Sequence, residues 1–367
     1  MKITKLGRVA IVAAAGSILL ASCASNEGGS SSSGEPAEGG VAGTIEATGA
    51  SSQTAAQEAW VAAFLDANPD ADVVYEPTGS GVGRDNFIAG ASNFVGSDRA
   101  FDAEELEAGG FEACVSDDII EIPVYISPVA VAFNIDGVDE LNLDAATIAG
   151  LFAGTITNWN DPAIAEQNPD ATLPDLAVSP VHRSDASGTQ ETFTAYLEAT
   201  APDVWTYEAS DEWPIQGGEA AQGTSGVIDR VSNGQGTIGF ADASQVGDLG
   251  TVAVQVGEEY VPFSPEAAAQ LVAGAEQEEG RGDADLVFDV DPSAAADGAY
   301  PIALVSYLIG CTEYEDPEVA ATVQAYFSYV ASAEGQDAAA ENAGSAPIND
   351  ELRSQIEAAI ELIQVEG

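Results

Sequence analysis

Basic residues are nearly absent from this chain of 367 residues. Nine Lys and Arg stand against 61 Asp and Glu, so the formal net charge is −52. Such a chain offers no basic surface for phosphate backbones or anionic lipids, which excludes nucleic-acid binding and docking of the folded chain on a membrane through a basic face. Histidine occurs once, as His182. We therefore predict no His-rich metal site and no paired-histidine catalysis.

The N-terminus has the pattern of an export signal. Three basic residues precede the apolar run 9–20, which is too short to be a good membrane span. The run ends in Leu20-Ala21-Ser22-Cys23. This looks like a bacterial lipobox, in which the cysteine is acylated and becomes the new N-terminus. The alternative is an ordinary signal peptide with a chance cysteine.

The residues after Cys23 predict a flexible tether. They are rich in Gly and Ser and have no apolar periodicity. We divide the start of the chain into a signal peptide with lipobox, 1–22, and a lipid-anchored tether, 23–43. The mature chain would then hang from the outer face of the cytoplasmic membrane by its N-terminal lipid alone.

The chain without its leader is still more acidic. Six Arg and no Lys remain against 61 acidic residues, a formal charge of −55. An acidic, lysine-free surface suggests adaptation to salty surroundings, where screening suppresses self-repulsion. This halotolerant character concerns habitat rather than activity.

Two cysteines remain once Cys23 is assigned to the lipid, and they are Cys114 and Cys311. An even pair in an exported chain favours a disulfide, and two buried free thiols are the alternative. A bond between them would fold the end of the chain back onto its first third.

From Thr44 onward, short apolar runs alternate with helical stretches, a pattern typical of an α/β fold. Hydrophobic residues make up 46% of the chain, enough for a substantial core. We predict strands over 44–48, 71–76, 93–96, 119–125 and 129–134, and helices over 55–67, 319–330 and 352–363. The acidic segment 276–291 lacks the glycine placement of a Ca²⁺ loop, and we predict a solvated strand and turn there.

Four short segments place small hydroxyl residues and glycines where a strand gives way to a helix. They are Thr48–Gln53, Thr78–Arg84, Gly96–Arg99 and Arg183–Gln190. Each hydroxyl could simply be an N-cap. However, unpaired N–H groups and the positive end of a helix dipole also bind anions. If several such termini converge, they could hold a tetrahedral oxyanion without net positive charge.

Two charged residues in these segments make that hypothesis more specific. A planar guanidinium such as Arg183 can grip two oxygens of an anion, and Asp185 could brace it. Asp98 would repel an anion unless the ligand carries a proton to donate. Phosphate carries one near neutral pH and sulfate does not, so Asp98 would select against sulfate.

These four segments resemble those of the substrate-binding lipoproteins of bacterial high-affinity phosphate ABC transporters, of the actinobacterial type. The most specific match is Arg183-Ser184-Asp185-Ala186-Ser187-Gly188-Thr189. Segments 156–161, 213–215 and 236–240 also resemble the family, in the same order. By position, the resemblance implies that phosphate is contacted by Ser80, Asp98, Arg183, Ser187, Gly188 and Thr189, with Asp185 behind Arg183.

The first segment departs from the family pattern. Gln53 and Thr54 stand where the family has a Thr-Phe pair, so Ser51, Ser52 and Gln53 are all candidates for the donors there. His182 is expected to be a neighbour of the site rather than a ligand of phosphate.

The resemblance also implies the architecture and the partners. We expect a two-lobed, periplasmic-binding-protein-like α/β fold with a hinge and a ligand cleft. Lobe 1 would comprise 44–125 and 301–367, and lobe 2 would comprise 126–300. Both Cys114 and Cys311 then fall in lobe 1. The expected partners are inorganic phosphate and the transmembrane permease subunits of the transporter, with no metal, no cofactor and a monomeric chain.

Four alternatives compete with this prediction, of which a purely structural surface lipoprotein leaves the four-segment pattern unexplained. A secreted phosphatase or other phosphoester hydrolase needs a nucleophile with a base or metal ligands, which are hard to build from one His and no Lys. A binding protein for another oxyanion (sulfate, molybdate or a phosphonate) would keep the fold. Dinucleotide binding through Gly79-x-Gly81-x-Gly83 lacks the required spacing.

Overall fold

The structure, a computed structural model, describes residues 40–365. The predicted signal peptide, the Cys23 anchor and residues 23–39 of the predicted tether lie outside the described residues. Among the helices of 40–365, none combines the length and the apolar composition that a bilayer crossing requires.

The strands within 40–365 alternate with helices, as expected. The strands are β1 Gly43–Gly49, β2 Ala71–Glu76, β3 Phe94–Ser97, β4 Ile119–Phe133, β5 Glu140–Leu143, β6 Ser179–Arg183, β7 Glu219–Ala221, β8 Thr237–Asp242, β9 Gly250–Val256, β10 Glu259–Val261, β11 Glu276–Gln277, β12 Phe288–Asp289 and β13 Ala303–Cys311.

The helices mostly begin at short polar residues whose side chains accept a hydrogen bond from the first turn. The helices are α1 Thr54–Ala67, α2 Ser80–Ile88, α3 Ala103–Ala108, α4 Ala145–Phe152, α5 Pro162–Ala165, α6 Gly188–Thr200, α7 Gly223–Asn233, α8 Pro265–Val272, α9 Pro317–Ala331, α10 Ala333–Ala343 and α11 Asp350–Ile360. Short 3₁₀ turns occupy 243–245 and 292–294.

One curled sheet organises the fold. Its strands run in the order β2-β1-β3-β13-β4-β8-β6-β7, and β9 lies beside β4 and joins β5 and β10. Strands β1, β2 and β3 pair in parallel, as do β6, β7 and β8. The long strands β4 and β13 run antiparallel between these two groups. The carboxyl ends within each parallel group therefore lie along one edge, where ligands bind in open α/β sheets.

Two separate hydrophobic cores make the fold two-lobed. The first contains Trp60, Phe94 and Tyr326, and the second contains Trp159, Phe193 and Phe240. Strand β4 contributes to both, because its apolar residues up to Ile126 pack in the first core, whereas Val129, Val131 and Phe133 pack in the second.

The segment 268–287 packs side chains such as Leu271 and Leu286 in the first core. The predicted division assigns this segment to lobe 2, and its boundaries stay a prediction. The acidic segment 276–291 forms the β11–β12 hairpin, which agrees with a strand and turn.

The disulfide predicted from the cysteine pair is confirmed. Cys114 and Cys311 are bonded, with their Cα atoms 5.3 Å apart. Cys311 ends β13 and is fully buried, whereas Cys114 lies in the loop before β4. The bond therefore ties the last sheet strand to a loop 197 residues earlier in the sequence.

Removing this bond should cost much of the stability. In the loop-entropy model, a cross-link over so long a segment contributes about 4–5 kcal/mol to the free energy of unfolding. We expect Cys114→Ala/Cys311→Ala to lower that free energy by about 3–5 kcal/mol in urea unfolding. As a control, reductant should destabilise the wild type and leave the variant unchanged. A loss below about 1 kcal/mol would contradict the expectation.

Candidate functional site

The four hydroxyl- and glycine-rich segments follow strand carboxyl ends and meet around Asp98, directly after β3. Its Oδ1 accepts hydrogen bonds from the hydroxyls of Ser52 (2.6 Å) and Ser306 (2.7 Å). Its Oδ2 accepts one from the Thr189 hydroxyl (2.7 Å), and its N–H donates to Ser80 Oγ (3.1 Å). All five residues are buried. A carboxylate thus lies at the centre of hydroxyls from four chain segments.

Most of these hydroxyls do not cap their own helices. Gln53 is the N-cap of α1 and Gly79 is the N-cap of α2, and neither residue's side chain accepts a hydrogen bond from its helix. Only Ser187 caps as the N-cap interpretation predicts, with the Gln190 N–H donating to its Oγ at 3.3 Å. The hydroxyls of Ser52, Ser80 and Thr189 therefore serve contacts between elements, which favours the anion-site hypothesis over simple capping.

Arg183 ends β6 and is held by Asp185. Its Nε donates to Asp185 Oδ1 at 2.9 Å, and its Nη2 pairs with Oδ2. Asp185 Oδ1 also accepts from the Gly223 N–H at 3.0 Å, at the start of α7. The Arg183 side chain is 2% exposed. Within 40–365, the contacts of Arg183 leave its Nη1 without an acceptor, so this edge of the guanidinium can take an anion oxygen.

The three candidates of the first segment have different surroundings. Ser52 donates to Asp98, as described above. Ser51 Oγ accepts from the Thr224 N–H (3.0 Å), at the start of α7. Gln53 turns away, because its Nε2 donates to Ser306 Oγ (2.7 Å) and to the Tyr307 carbonyl (3.0 Å) in β13. His182 stacks on Trp213, with ring centroids 4.8 Å apart.

The segments that follow the first parallel group of strands directly contact the segment 183–190, which follows β6. The Gly81 N–H donates to the Ala186 carbonyl at 3.1 Å. A Cβ on Gly188 would lie 2.6 Å from the Asp98 Cβ and 2.8 Å from the Asp98 carbonyl carbon. Glycine at 188 therefore allows the start of α6 to approach the end of β3.

Arginines are concentrated here although the chain has few. Arg84, Arg99, Arg183 and Arg281 all lie at or beside the site. Arg99 and Arg281 line a cavity of about 450 Å³ that reaches Asp98. Burial lowers the pKa of Arg84, and the nearby Arg99 charge adds to that effect. Each of these guanidiniums pairs with at least one carboxylate, so they neutralise acidic side chains beside the site rather than giving it a net positive charge.

Within residues 40–365, no group of three or more His, Cys, Asp or Glu side chains has an arrangement that could hold a metal ion. The polar groups in contact with Asp98 are hydroxyls, and the Arg183–Asp185 pair follows the neighbouring strand β6.

Known proteins are similar in sequence to nearly the whole of this chain. The PBP superfamily domain matches residues 34–334. The phosphate-binding protein PstS 3 of Mycobacterium tuberculosis is 33% identical over 376 residues, which cover 99% of this chain and 100% of the relative. The chain belongs to the PstS phosphate-binding protein family, within the PBP superfamily. The resemblance inferred from the four segments is thereby confirmed.

Solved structures support the fold of this PstS-family protein. It is similar to a high-affinity periplasmic phosphate-binding protein, PfluDING, bound with phosphate, with a TM-score of 0.68, 21% identity and coverage of 87% of this chain and 93% of that one. It is also similar to a phosphate-binding protein from Stenotrophomonas maltophilia, with a TM-score of 0.63, 19% identity and coverage of 86% and 93%. At these identities the similarity establishes the fold alone.

Two residues of the site in this PstS-family protein, Ser306 and Thr224, are not among those predicted from the sequence. Ser306 interrupts the otherwise apolar strand β13, and a lone hydroxyl in a fully buried run was the available signal. Thr224 lies in Gly223-Thr224-Ser225-Gly226, a fifth segment of the same type, which forms the first turn of α7 shortly after β7. Both signals can be found in the sequence alone.

A second buried carboxylate, Asp242, lies at the end of β8 close to β4. Its Oδ1 accepts from the Tyr125 hydroxyl (3.0 Å) and from the Ser244 N–H (3.0 Å). Its Oδ2 is buried without a hydrogen-bond partner in the described part of the chain. Burial raises the pKa of the Asp242 carboxyl to about 6.

The raised pKa predicts a specific pH dependence of stability. Since an unfolded Asp titrates near pH 4, the folded state binds the extra proton between about pH 4 and pH 6. The stability contributed by neutral Asp242 is full below this window and is lost as the pH rises through it. From pH 4 to pH 7, Asp242→Asn should gain about 2 kcal/mol in free energy of unfolding relative to the wild type.

Urea unfolding at both pH values measures this difference. Asp248→Asn, at an exposed position six residues further on, is the matched control and should differ from the wild type equally at both pH values. A pH-independent difference for Asp242→Asn would refute the assignment.

Proposed function

We propose that this chain binds inorganic phosphate outside the cytoplasm and delivers it to the transmembrane permease subunits of a phosphate ABC transporter. The observation that carries the proposal is buried Asp98, surrounded by hydroxyls from both lobes. Membership of the PstS family and the printed names of the relatives point to the same ligand.

The proposed phosphate contacts lie in the segments that meet around Asp98. They comprise Ser51, Ser52, Gln53, Ser80, Asp98, Arg183, Ser187, Gly188 and Thr189. Asp185 would act behind Arg183, holding the guanidinium plane through two parallel hydrogen bonds. For Ser51 and Gln53, whose side chains bond elsewhere, the backbone N–H at the start of α1 is the proposed donor.

The mechanism follows from what each group can donate or accept. The hydroxyls of Ser52 and Thr189 can rotate from Asp98 toward phosphate oxygens. Asp98 is then left to accept the proton of a protonated phosphate oxygen. A fully deprotonated sulfate would set its lone pairs against those of Asp98, which leaves both groups without a partner in a buried site.

Closure of two lobes would couple binding to delivery. We assign lobe 1 to 44–125 and 301–367 and lobe 2 to 126–300, with β4 and β13 as the connecting strands. Thr189 donating to Asp98 supports a closed arrangement, because these residues follow different parallel groups of strands. Lobe motion about such connections is a common way for binding proteins to enclose ligands.

We further propose that export and anchoring follow from the N-terminal pattern. The signal 1–22 would be removed, Cys23 would carry lipid, and residues 23–43 would tether a monomer to the outer face of the cytoplasmic membrane. Mass spectrometry of the membrane-extracted chain should find a lipid on Cys23. A chain that retains residues 1–22 would contradict this proposal.

Enzymatic activity is not part of the proposal. The relatives are named as phosphate-binding proteins, and the site offers no general base beside a nucleophilic hydroxyl other than the Asp98 carboxylate. Release of phosphate from a phosphomonoester by the pure protein would overturn this view and favour the hydrolase alternative.

Uptake of radiolabelled phosphate by cells that carry the gene tests binding and delivery together. Cells producing Arg183→Ala should lose high-affinity uptake, because that guanidinium is the only cation among the proposed contacts. Cells producing Arg353→Ala should keep it, because Arg353 lies on α11 and bonds Asp350. Equal uptake by both variants at matched expression would contradict the proposed function.

A further inference from the structure

A cluster of ion pairs lies beside the candidate site. We call it the rim cluster, and it comprises Arg84, Arg99, Glu191 and Asp211. Arg84 Nη2 donates to Asp211 Oδ2 at 3.1 Å. Arg99 Nε lies 3.4 Å from Glu191 Oε2 and 3.8 Å from Asp211 Oδ2.

The two arginines and the two carboxylates come from different lobes. Arg84 is on α2 and Arg99 follows β3, next to the first parallel group of strands. Glu191 is in the first turn of α6, and Asp211 lies in the loop between α6 and β7, next to the second group. Each of the three pairs therefore crosses from one lobe to the other.

The pairs are shielded from solvent more than ordinary surface salt bridges. The Arg84 side chain is 4% exposed and that of Asp211 is 22% exposed. Arg99 is fixed by a bidentate pair with Glu105, at 2.6 and 3.0 Å. Charges in such surroundings attract each other more strongly than exposed pairs, since water and salt screen them less.

The rim cluster is joined to both faces of the site. Arg84 Nη1 donates to Ser97 Oγ at 3.0 Å, directly before Asp98. The Asp211 carbonyl accepts from the Ser187 N–H (2.9 Å) and from Gln190 Nε2 (2.9 Å), at the start of α6. The Arg84–Asp211 pair thus connects the segment of Asp98 to the segment of Ser187 without belonging to either.

We propose that the rim cluster is a closure latch, in which the Arg84–Asp211 pair holds the two lobes together and slows the release of bound phosphate. The inference rests on the proposed function, since it concerns the lifetime of that complex. Its residues determine affinity by positioning the lobes, not by contacting phosphate.

The latch predicts how salt changes the rates of phosphate binding and release. Phosphate approaches a strongly acidic chain, so screening should speed association. Screening also weakens the ion pairs of the latch, so the same salt should speed dissociation. Both rate constants should therefore rise with ionic strength, and the dissociation rate constant should rise by the smaller factor because the latch pairs are partly shielded.

Stopped-flow kinetics on the phosphate-loaded protein tests the latch. Asp211→Asn keeps the backbone contacts of residue 211, and we expect phosphate release to become about 10-fold faster with unchanged association. Glu212→Gln removes the same charge from the next, exposed residue and should leave release unchanged. Arg84→Gln should speed release less in the Asp211→Asn background than in the wild type, because only its contact with Ser97 is then left to lose.

Solution X-ray scattering of the phosphate-stripped proteins supplies a readout that needs no ligand. Asp211→Asn should show a larger radius of gyration than Glu212→Gln, because the closed state loses its interlobe pair. Wild-type protein that binds no phosphate would refute the proposed function. The difference in radius of gyration would then still show whether the Arg84–Asp211 pair holds the lobes together. Identical release rates for wild type, Asp211→Asn and Glu212→Gln would refute the latch alone.

Discussion

Asp98→Asn should weaken phosphate binding by about 100-fold and reduce the preference for phosphate over sulfate by 10-fold or more. The carboxylate is the group that can accept the ligand's proton, and the amide offers an N–H₂ donor in place of one oxygen. Sulfate oxygens would then face a donor rather than a lone pair. Phosphate would lose a charged acceptor in a buried site.

The matched control for this variant is Asp85→Asn. Asp85 is exposed on α2, one residue from Arg84, so its replacement removes an equal charge without touching Asp98. Calorimetric titration of both variants with both anions gives the comparison. If Asp98→Asn kept the full preference for phosphate, the proton-acceptor role would be lost while the family and the fold would stand.

Gly188→Ala should abolish tight binding without destabilising the chain. The added Cβ would lie 2.6 Å from the Asp98 Cβ and 2.8 Å from its carbonyl carbon. Carbon atoms need about 3.5–4.0 Å, so the two sides of the site must separate by about 1 Å. Such a gap removes contacts from one side of a small anion, and we expect affinity to fall by about 100-fold or more.

The free energy of unfolding of Gly188→Ala should rise although its affinity falls. Residue 188 begins α6, and alanine is favoured over glycine in helices by up to about 1 kcal/mol. Gly226→Ala is the control, because it adds the same methyl within α7 where the nearest atoms are 3.7 Å away. Affinity lost only in Gly188→Ala, with both variants folded, is the expected result. Normal affinity in Gly188→Ala would contradict the close approach of α6 to Asp98.

Local patterns in the sequence predict much of this fold. The alternation of 44–76 gives β1, α1 and β2, and the apolar spacing near the C-terminus gives α9 and α11. Strand β4 is the instructive difference, because the sequence predicts two strands where one continuous strand runs. Pro123 and Pro128 suggest a break, since proline cannot donate to a ladder. The pairing with β13 instead continues through Pro123 to Pro128, with a register shift at Ser306/Tyr307, and β4 pairs with β8 from Val129 onward.

The candidate site, like the fold, could be predicted from the sequence only in part. Its four segments are visible because their residue types recur at strand ends, and the helix-start argument needs no tertiary information. The contacts of individual side chains cannot be predicted without tertiary information. Ser51, Ser52 and Gln53 are consecutive, yet they bond α7, Asp98 and β13 respectively. The Arg84–Asp211 pair joins residues 127 positions apart. No local pattern indicates a contact of that range.

Calorimetric titration of the chain starting after Cys23, stripped of phosphate by unfolding and refolding, tests the central claim most directly. Phosphate and then sulfate would be titrated at low and at high salt. Tight one-to-one binding of phosphate and none of sulfate is the result that a buried Asp98 among converging hydroxyls predicts. A folded chain that binds neither anion, or sulfate as well as phosphate, would contradict it.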